Sequence, residues 1–237
     1  MLTLAFDSTA KIASCAVCNG EQVLAEYNIN NGLTQSELLL PMAKNILSAL
    51  HLSIDDIELL ATSVGPGSFT GVRIGTAIIK GLAFGKNIPC VAVSTLDALA
   101  ENLRGTRGII LACMDARRAQ VYNAVYSSYG ENLEKLCPDR AISISELADE
   151  VKKYNEPIYV VGDGYETTRK GLIEAGLKPE CTPQALILES AASVAKIAYR
   201  KFLNGEAVTD LEIAPTYLRM PQAERERLER LENKKGT

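Results

Sequence analysis

"LAFDSTAKIASCAV" (residues 4–17) and "LACMDARRAQVYNAV" (111–125) follow the same pattern: an apolar strand, an aspartate, a turn and a second strand. The two aspartates, Asp7 and Asp115, are 108 positions apart, and an Ala-Val pair that follows each of them has the same spacing. Patterns that recur at a fixed spacing indicate one structural unit used more than once. The two stretches therefore predict a duplicated fold.

A second pair of stretches supports the duplication. "SVGPGSF" (63–69) has a counterpart in "VVGDGYE" (160–166), in the same order along the chain but offset by 97 positions. Two α/β units that face each other across a cleft are typical of actin-like (ASKHA, ribonuclease H-like) proteins. We therefore predict an α/β, actin-like, two-lobed fold with a smaller second lobe. The lobes are predicted at residues 1–104 and 105–221, and a charged tail at 222–237.

The predicted elements of the first lobe form an α/β unit with a mixed sheet. Its first helix, from about 35 to 50, opens with the capping box Thr34-x-x-Glu37. A second helix follows the glycine-rich stretch and runs to about 85. Periodicity and turn residues predict strands at 2–9, 12–18, 21–29, 58–64 and 88–94.

The composition limits the possible partners. The 237 residues include 25 Lys and Arg against 29 Asp and Glu, a net charge of −4, without the basic stripe that holds nucleic acid. Asp7 comes too early for a signal peptide, and no apolar run has the length of a membrane span. Cys15 and Cys18, three apart on a predicted strand, point to opposite faces and so do not suggest a metal site. We predict a reduced, cytoplasmic protein with no membrane partner.

The glycine-rich stretch "GPGSFTGVRIG" (65–75) does not match a nucleotide fingerprint. A P-loop needs a lysine after its last glycine, and a dinucleotide loop needs glycine at position 70, which is threonine. Backbone N–H groups at a helix start can still hold an anion. The residues that form this possible nucleotide or anion contact are Asp7, Ser8, Thr9, Gly65 and Gly67.

The spacing of the glycines favours packing over anion binding. Gly67, Gly71 and Gly75 recur every four residues, and Ile78 and Leu82 continue the same helical face. A glycine inside a helix costs up to about 1 kcal/mol relative to alanine, so two of them call for a compensating close contact. We expect this face to pack against another helix, and the first helix offers the apolar stripe Leu39, Met42, Ile46 and Leu50.

Several motifs together resemble the TsaB (YeaZ) family. They are "LAFDST", "LLLP", "GPGSFTGVRIG", "VSTLDALA", "MDARRAQVY" and "PTYLR", which occur in the order typical of that family from residue 2 to about 220. The resemblance implies an actin-like fold and a role in making threonylcarbamoyladenosine next to the tRNA anticodon. It implies a non-catalytic subunit that pairs with the catalytic subunit TsaD, is joined by the ATPase TsaE and forms a homodimer when alone. ATP is then used by the assembled complex, and tRNA is bound only through it.

The resemblance also implies roles for particular residues. Many members of the family have a histidine near the start of the first helix, where this chain has Gln35, and the only histidine of the chain is His51. We therefore expect no metal site, and no cofactor is assigned to this chain. The pairing surface implied for the two helices consists of Leu39, Met42, Ile46, Gly71, Arg73, Gly75, Ile78 and Leu82.

One alternative function comes from a different class, a small-molecule phosphotransferase or ATPase of the actin-like superfamily. In its favour are the polar turn Asp7-Ser8-Thr9 after the first strand and the turn 162–164, "GDG". Against it, such turns are common wherever a strand ends. A metalloprotease, a third possibility, is disfavoured by the single histidine.

Overall fold

The computed structural model describes residues 1–219, so the predicted tail 222–237 lies outside the described residues. The first sheet has five strands in the order β3-β2-β1-β4-β5. Strands β1 to β3 are antiparallel neighbours, whereas β4 and β5 run parallel to β1. The strands are β1 (Leu2–Asp7), β2 (Ala13–Asn19), β3 (Gln22–Ile29), β4 (Leu59–Ser63) and β5 (Cys90–Val93).

The second sheet repeats this arrangement and confirms the predicted duplicated fold. Its order is β10-β6-β7-β8, with β9 also paired to β7, so that an antiparallel hairpin again lies beside a parallel strand. Asp7 ends β1 as Asp115 ends β6, at equivalent places in the two hairpins. The strands are β6 (Gly108–Asp115), β7 (Gln120–Tyr129), β8 (Asn132–Lys135), β9 (Arg140–Ser143) and β10 (Ile158–Val161).

Helices cover both sheets, and the two long helices of the first half, with 15 residues each, have counterparts of 8 and 10 residues in the second half. The predicted capping box of Thr34 and Glu37 is formed at the start of α1, which also contains Pro41. No helix within residues 1–219 has both the length and the apolar character needed to span a membrane. The helices are α1 (Gln35–Ala49), α2 (Phe69–Ala83), α3 (Thr95–Glu101), α4 (Ile144–Val151), α5 (Tyr165–Glu174) and α6 (Ala191–Leu203).

Helix α6 joins the second half of the chain to the first sheet. Its buried alanine-rich face packs against the face of the first sheet opposite α1 and α2. The carboxylate of Glu26, on β3, caps this helix by accepting hydrogen bonds from the Ala192 N–H (3.1 Å) and the Ser190 hydroxyl (2.7 Å). The lobe boundary near 104 stays a prediction, but helix α6 and the segment that follows it, as far as Thr216, pack with the first sheet rather than the second.

The glycine face of α2 does not meet a helix, so the predicted helix–helix contact is wrong. A Cβ added to Gly71 would lie 1.8 Å from the carbonyl oxygen of Ser8, and one added to Gly75 would lie 2.6 Å from Thr62 Oγ1. The Ser8 hydroxyl also donates to the Gly71 carbonyl oxygen at 2.8 Å. The glycines therefore let α2 approach β4 and the loop after β1 within the same chain.

The apolar stripe of α1 is likewise internal. Leu39, Met42 and Ile46 are buried in the core between α1, α2 and the first sheet. Since a side chain that is fully covered inside one chain has no surface left for another, these three residues and Gly71 and Gly75 are not part of a pairing surface. The prediction that Cys15 and Cys18 point to opposite faces is confirmed, because they belong to the cores on the two sides of the sheet.

We predict opposite effects for alanine at two glycines of α2. Gly71→Ala should lower the free energy of unfolding by at least about 1–3 kcal/mol, because the new methyl group overlaps the Ser8 carbonyl. Gly81→Ala is the matched control: no atom lies within 4 Å of its added Cβ, so helix propensity should raise stability by up to about 1 kcal/mol. Urea unfolding of both variants measures this, and equal stabilities would contradict it.

Candidate functional site

A cleft with a volume of about 670 Å³ lies between the two halves of the molecule. Its walls come from the loop after β1, the start of α1, the glycine-rich stretch, the β6–β7 loop and the segment 216–219. Charged side chains of both signs line it: Lys11, Arg117 and Arg219 against Asp115 and Asp163. The cleft is lined by enough polar and charged groups to receive a small polar molecule between the lobes.

Of the five predicted anion-contact residues, Thr9 and Gly67 line one end of this cleft, and the polar groups at this end bind other groups of the chain. Asp7 is buried, and its carboxylate accepts hydrogen bonds from the Thr9 N–H (2.9 Å), the Thr9 hydroxyl (2.7 Å) and the Ser63 hydroxyl (2.5 Å). The Ser68 N–H, at the start of α2, donates to the Thr9 carbonyl at 2.6 Å. A carbonyl oxygen of the chain thus takes a helix N–H that an anion would use.

Gly65 and Gly67 have backbone reasons to be glycine. Both have left-handed φ values, +116° and +157°. A Cβ at Gly67 would lie 2.4 Å from the Thr9 carbonyl oxygen, and one at Gly65 would lie 2.4 Å from the Thr216 carbonyl oxygen. The stretch is therefore shaped by close approach of two other segments of the chain, and whether it also contacts a nucleotide stays a prediction.

Below the cleft lies a buried carboxyl group that sequence reasoning did not identify. Glu189, in the segment before α6, is only 3% exposed, and neither of its carboxyl oxygens has a hydrogen-bond partner within residues 1–219. Burial, together with the nearby negative charges of Asp7 and Asp163, raises the pKa of Glu189 well above its usual range.

The β6–β7 loop at the cleft has a strained backbone. Arg117, Arg118 and Ala119 are consecutive residues with left-handed φ values of +63°, +55° and +55°. Such a conformation costs roughly 1–2 kcal/mol for each residue that is not glycine. Hydrogen bonds hold the turn: the Arg117 N–H donates to Asp115 Oδ1 at 2.7 Å, and the Ala116 N–H to the Gln120 carbonyl at 3.0 Å.

Gln35 has a role inside the chain. Its side-chain amide donates to the Ala10 carbonyl at 2.7 Å and so ties the first turn of α1 to the loop after β1. No cluster of three or more His, Cys, Asp or Glu side chains within residues 1–219 is arranged to hold a metal ion. Gln35 is therefore part of the same group of hydrogen-bonded residues as Asp7 and Thr9 at this end of the cleft.

The outer surface of α1 and α2 is the second candidate site. Leu40 on α1 is 47% exposed, and Phe84, which ends α2, is 79% exposed. Between α1 and α2 runs an apolar groove of about 500 Å³, and small exposed residues, Ala77 and Gly81, lie on the adjoining surface of α2. We call this surface the outer helical face: Leu40, Lys44, Leu47, Ala77, Ile78, Gly81, Leu82 and Phe84.

Three of the predicted pairing residues remain accessible. Ile78 and Leu82 are half-buried, and Arg73 is exposed. Arg73 is also engaged within the chain, since its guanidinium lies 3.8 Å over the Phe69 ring and its Nε donates to the Tyr217 hydroxyl at 2.9 Å. The sequence analysis missed Ala77 and Gly81 because it followed the spacing of Gly67, Gly71 and Gly75, which face the interior. A signal was present, since Arg73, Ala77 and Gly81 also recur every four residues and therefore share another face of α2.

Comparison with known proteins identifies relatives of this chain. The family model described as "TsaD: tRNA N6-adenosine threonylcarbamoyltransferase" matches residues 33–226. The tRNA threonylcarbamoyladenosine biosynthesis protein TsaB of Bacillus subtilis is 31% identical, covering 94% of this chain and 96% of the relative. The protein of the same name from Escherichia coli is 32% identical, covering 92% and 95%. The solved structure "YeaZ from Pseudomonas aeruginosa" has a TM-score of 0.76 at 25% identity and covers 92% of this chain and 99% of that one.

We predict that Glu189 makes the protein less stable as the pH rises. The pKa of Glu189 is higher in the folded protein than in the unfolded chain, where it is near 4.3. Glu189 therefore stabilises the folded state most below that unfolded-state pKa, and this stabilisation is lost as the pH rises towards the folded-state pKa. Each pH unit in this window lowers the unfolding free energy by about 1.4 kcal/mol. Glu189→Gln cannot ionise, so its stability relative to wild type should increase from pH 5 to pH 8 in urea titrations. Parallel curves would contradict the assignment.

Proposed function

The chain belongs to the TsaB (YeaZ) family, and we propose that it acts as a non-catalytic subunit that pairs with and stabilises the catalytic subunit TsaD. The shared role of its relatives is threonylcarbamoyladenosine biosynthesis, and this chain takes part in that process. In the proposal, the ATPase TsaE joins the pair, the assembled complex uses ATP, and the isolated chain forms a homodimer. The protein works in the cytoplasm, without a membrane partner.

The observation that carries the proposal is the outer helical face. Apolar side chains such as Leu40 and Phe84 are accessible there, beside a groove lined mainly by leucine, isoleucine and alanine. Clustered apolar residues at the surface of a protein mark interaction sites. Ala77 and Gly81 leave room for a partner helix to approach α2 closely. The close helix contact expected from the sequence is thus proposed for the opposite face of α2.

The residues of the outer helical face replace most of the pairing surface implied by family resemblance. Ile78 and Leu82 are kept, Leu40, Lys44, Leu47, Ala77, Gly81 and Phe84 are added, and Arg73, which binds Tyr217, is not among them. The homodimer and the pair with TsaD are proposed to use this same surface.

The cleft supports a non-catalytic role for the chain itself. Asp7, the residue best suited to act on a phosphate or a metal ion, already accepts three hydrogen bonds from Thr9 and Ser63. A carboxylate held in this way is less available as a base or ligand than a free one. The alternative, an actin-like phosphotransferase or ATPase, would need this cluster to open.

A substitution on the outer helical face should separate pairing from folding. Ala77→Arg puts a charge at the centre of the proposed interface, and an unpaired buried charge costs about 3 kcal/mol or more, over a hundredfold in Kd. The monomer should keep its melting temperature, because Ala77 is exposed. Light scattering with and without purified TsaD measures both assemblies.

Thr167→Arg, on the exposed surface of α5, is the matched control and should pair normally. If Ala77→Arg also pairs normally, the pairing surface lies elsewhere.

The isolated protein should neither hold tRNA tightly nor turn over ATP. Its net charge is −4, and the phosphate backbone of RNA rewards clustered positive charge. Electrophoretic mobility shifts at physiological salt should show no submicromolar binding to tRNA until TsaD is added. A steady ATPase rate in the isolated protein that disappears in Asp7→Asn would favour the alternative function instead.

A further inference from the structure

The segment 215–219, "PTYLR", crosses from one half of the molecule to the other at the cleft. At its first-lobe end, the Thr216 N–H donates to the Val64 carbonyl at 2.7 Å, beside Gly65. The left-handed Gly65 leaves the space that the Thr216 carbonyl occupies. The glycine-rich stretch therefore has the backbone shape that this segment needs in order to pack against it.

The middle of the segment holds the first turn of α2. The Tyr217 ring stacks on Phe69, with centroids 4.7 Å apart and an interplanar angle of 29°. Arg73 contacts both rings: its guanidinium carbon lies 3.8 Å from the Phe69 centroid and 5.9 Å from the Tyr217 centroid, and its Nε donates to the Tyr217 hydroxyl. Three side chains from two segments thus form one cluster at the surface of α2.

The far end of the segment reaches the second sheet through one side chain. The Arg219 guanidinium donates to the Ala116 carbonyl at 3.3 Å and to the side-chain oxygen of Gln120, and it lies 5.7 Å over the Tyr122 ring. Both oxygen acceptors are uncharged, and hydrogen bonds from arginine to such groups are weaker than those to carboxylates. In these contacts Arg219 is thus bound to the loop by hydrogen bonds and a cation–π contact, and not by an ion pair.

Arg219 binds the β6–β7 loop on both sides of its strained turn. Ala116 and Gln120 flank the three left-handed residues, Arg117 to Ala119. Backbone strain of this kind persists only when surrounding contacts impose it, and it concentrates at clamps and switch regions. The contact with Arg219 is one of those that impose it.

We propose that residues 215–219 form a latch that sets the opening of the cleft. In the closed state, Arg219 fixes the β6–β7 loop while Tyr217 fixes the first turn of α2. Release of Arg219 lets the loop relax and frees the cleft between the lobes. Because one short segment holds both elements, loosening either end must loosen the other, which distinguishes a latch from a tail that rests on the surface.

Hydrogen–deuterium exchange of the full chain, without any partner, tests the latch. Arg219→Gln removes the contact with the second lobe and is expected to speed exchange about tenfold at two places, the loop 116–120 and the distant first turn of α2. A factor of ten corresponds to the loss of one hydrogen bond to a charged group. Small-angle scattering should show a larger radius of gyration for this variant.

Two further variants keep the test decisive. Tyr217→Phe retains the ring stack but loses the hydroxyl bond to Arg73, so it should speed exchange at both places by a smaller factor. Arg107→Gln is the matched control, because Arg107 lies over Tyr129 at the opposite end of β6 from the cleft, and it should change neither place. The proposal is overturned if Arg219→Gln alters exchange only in the loop 116–120, or if it alters exchange no more than Arg107→Gln does.

Discussion

Contact between backbones, without side chains between them, organises each half of this protein. In the first half, the stretch after β4 lies against the loop after β1, where Gly67 meets the Thr9 carbonyl and Gly71 meets the Ser8 carbonyl. In the second half, the turn after β10 lies against the end of β6, where Gly162 and Gly164 meet the carbonyl of Cys113. Both contacts join parallel neighbouring strands at their carboxyl ends, the edge at which α/β proteins form their sites. Residues of both contacts, Thr9 and Gly67 in the first half and Asp163 in the second, line the cleft.

The same contact explains why the polar residues at the end of the first sheet form hydrogen bonds with one another. Helix α2 approaches so closely that Ser8, Thr9 and Ser68 bond across the gap. The polar end of the first sheet is then a rigid support, and the surface left for interaction is the opposite side of α2. The proposed role follows from this division, since a lobe whose inner polar residues are engaged still presents an apolar outer helical face.

Much of the fold was predictable from sequence, because its signals are local. The capping box of Thr34 and Glu37, the strands β2 and β3 and the repeat of Asp7 and Asp115 depend on neighbouring residues or on a fixed spacing. The direction of the glycine face was not predictable in the same way. A four-residue spacing shows that Gly71 and Gly75 share a face, but the partner of that face is the loop after β1, about sixty residues away. Glu189 gave no signal at all, because a single glutamate before a helix is ordinarily exposed.

The packing of α6 also bears on how the chain folds during its synthesis on the ribosome. The first sheet is covered on one face by α1 and α2, which are made early, but on its other face by α6, residues 191–203. At a synthesis rate of about 5–20 residues per second, roughly five to twenty seconds separate the completion of β5 from that of α6. During that interval the nascent protein exposes an apolar face built from residues such as Ala16, Leu59 and Val91. The helix that completes the first lobe is thus translated only after every strand of the second sheet, so this apolar face stays uncovered while the second half of the fold is being made.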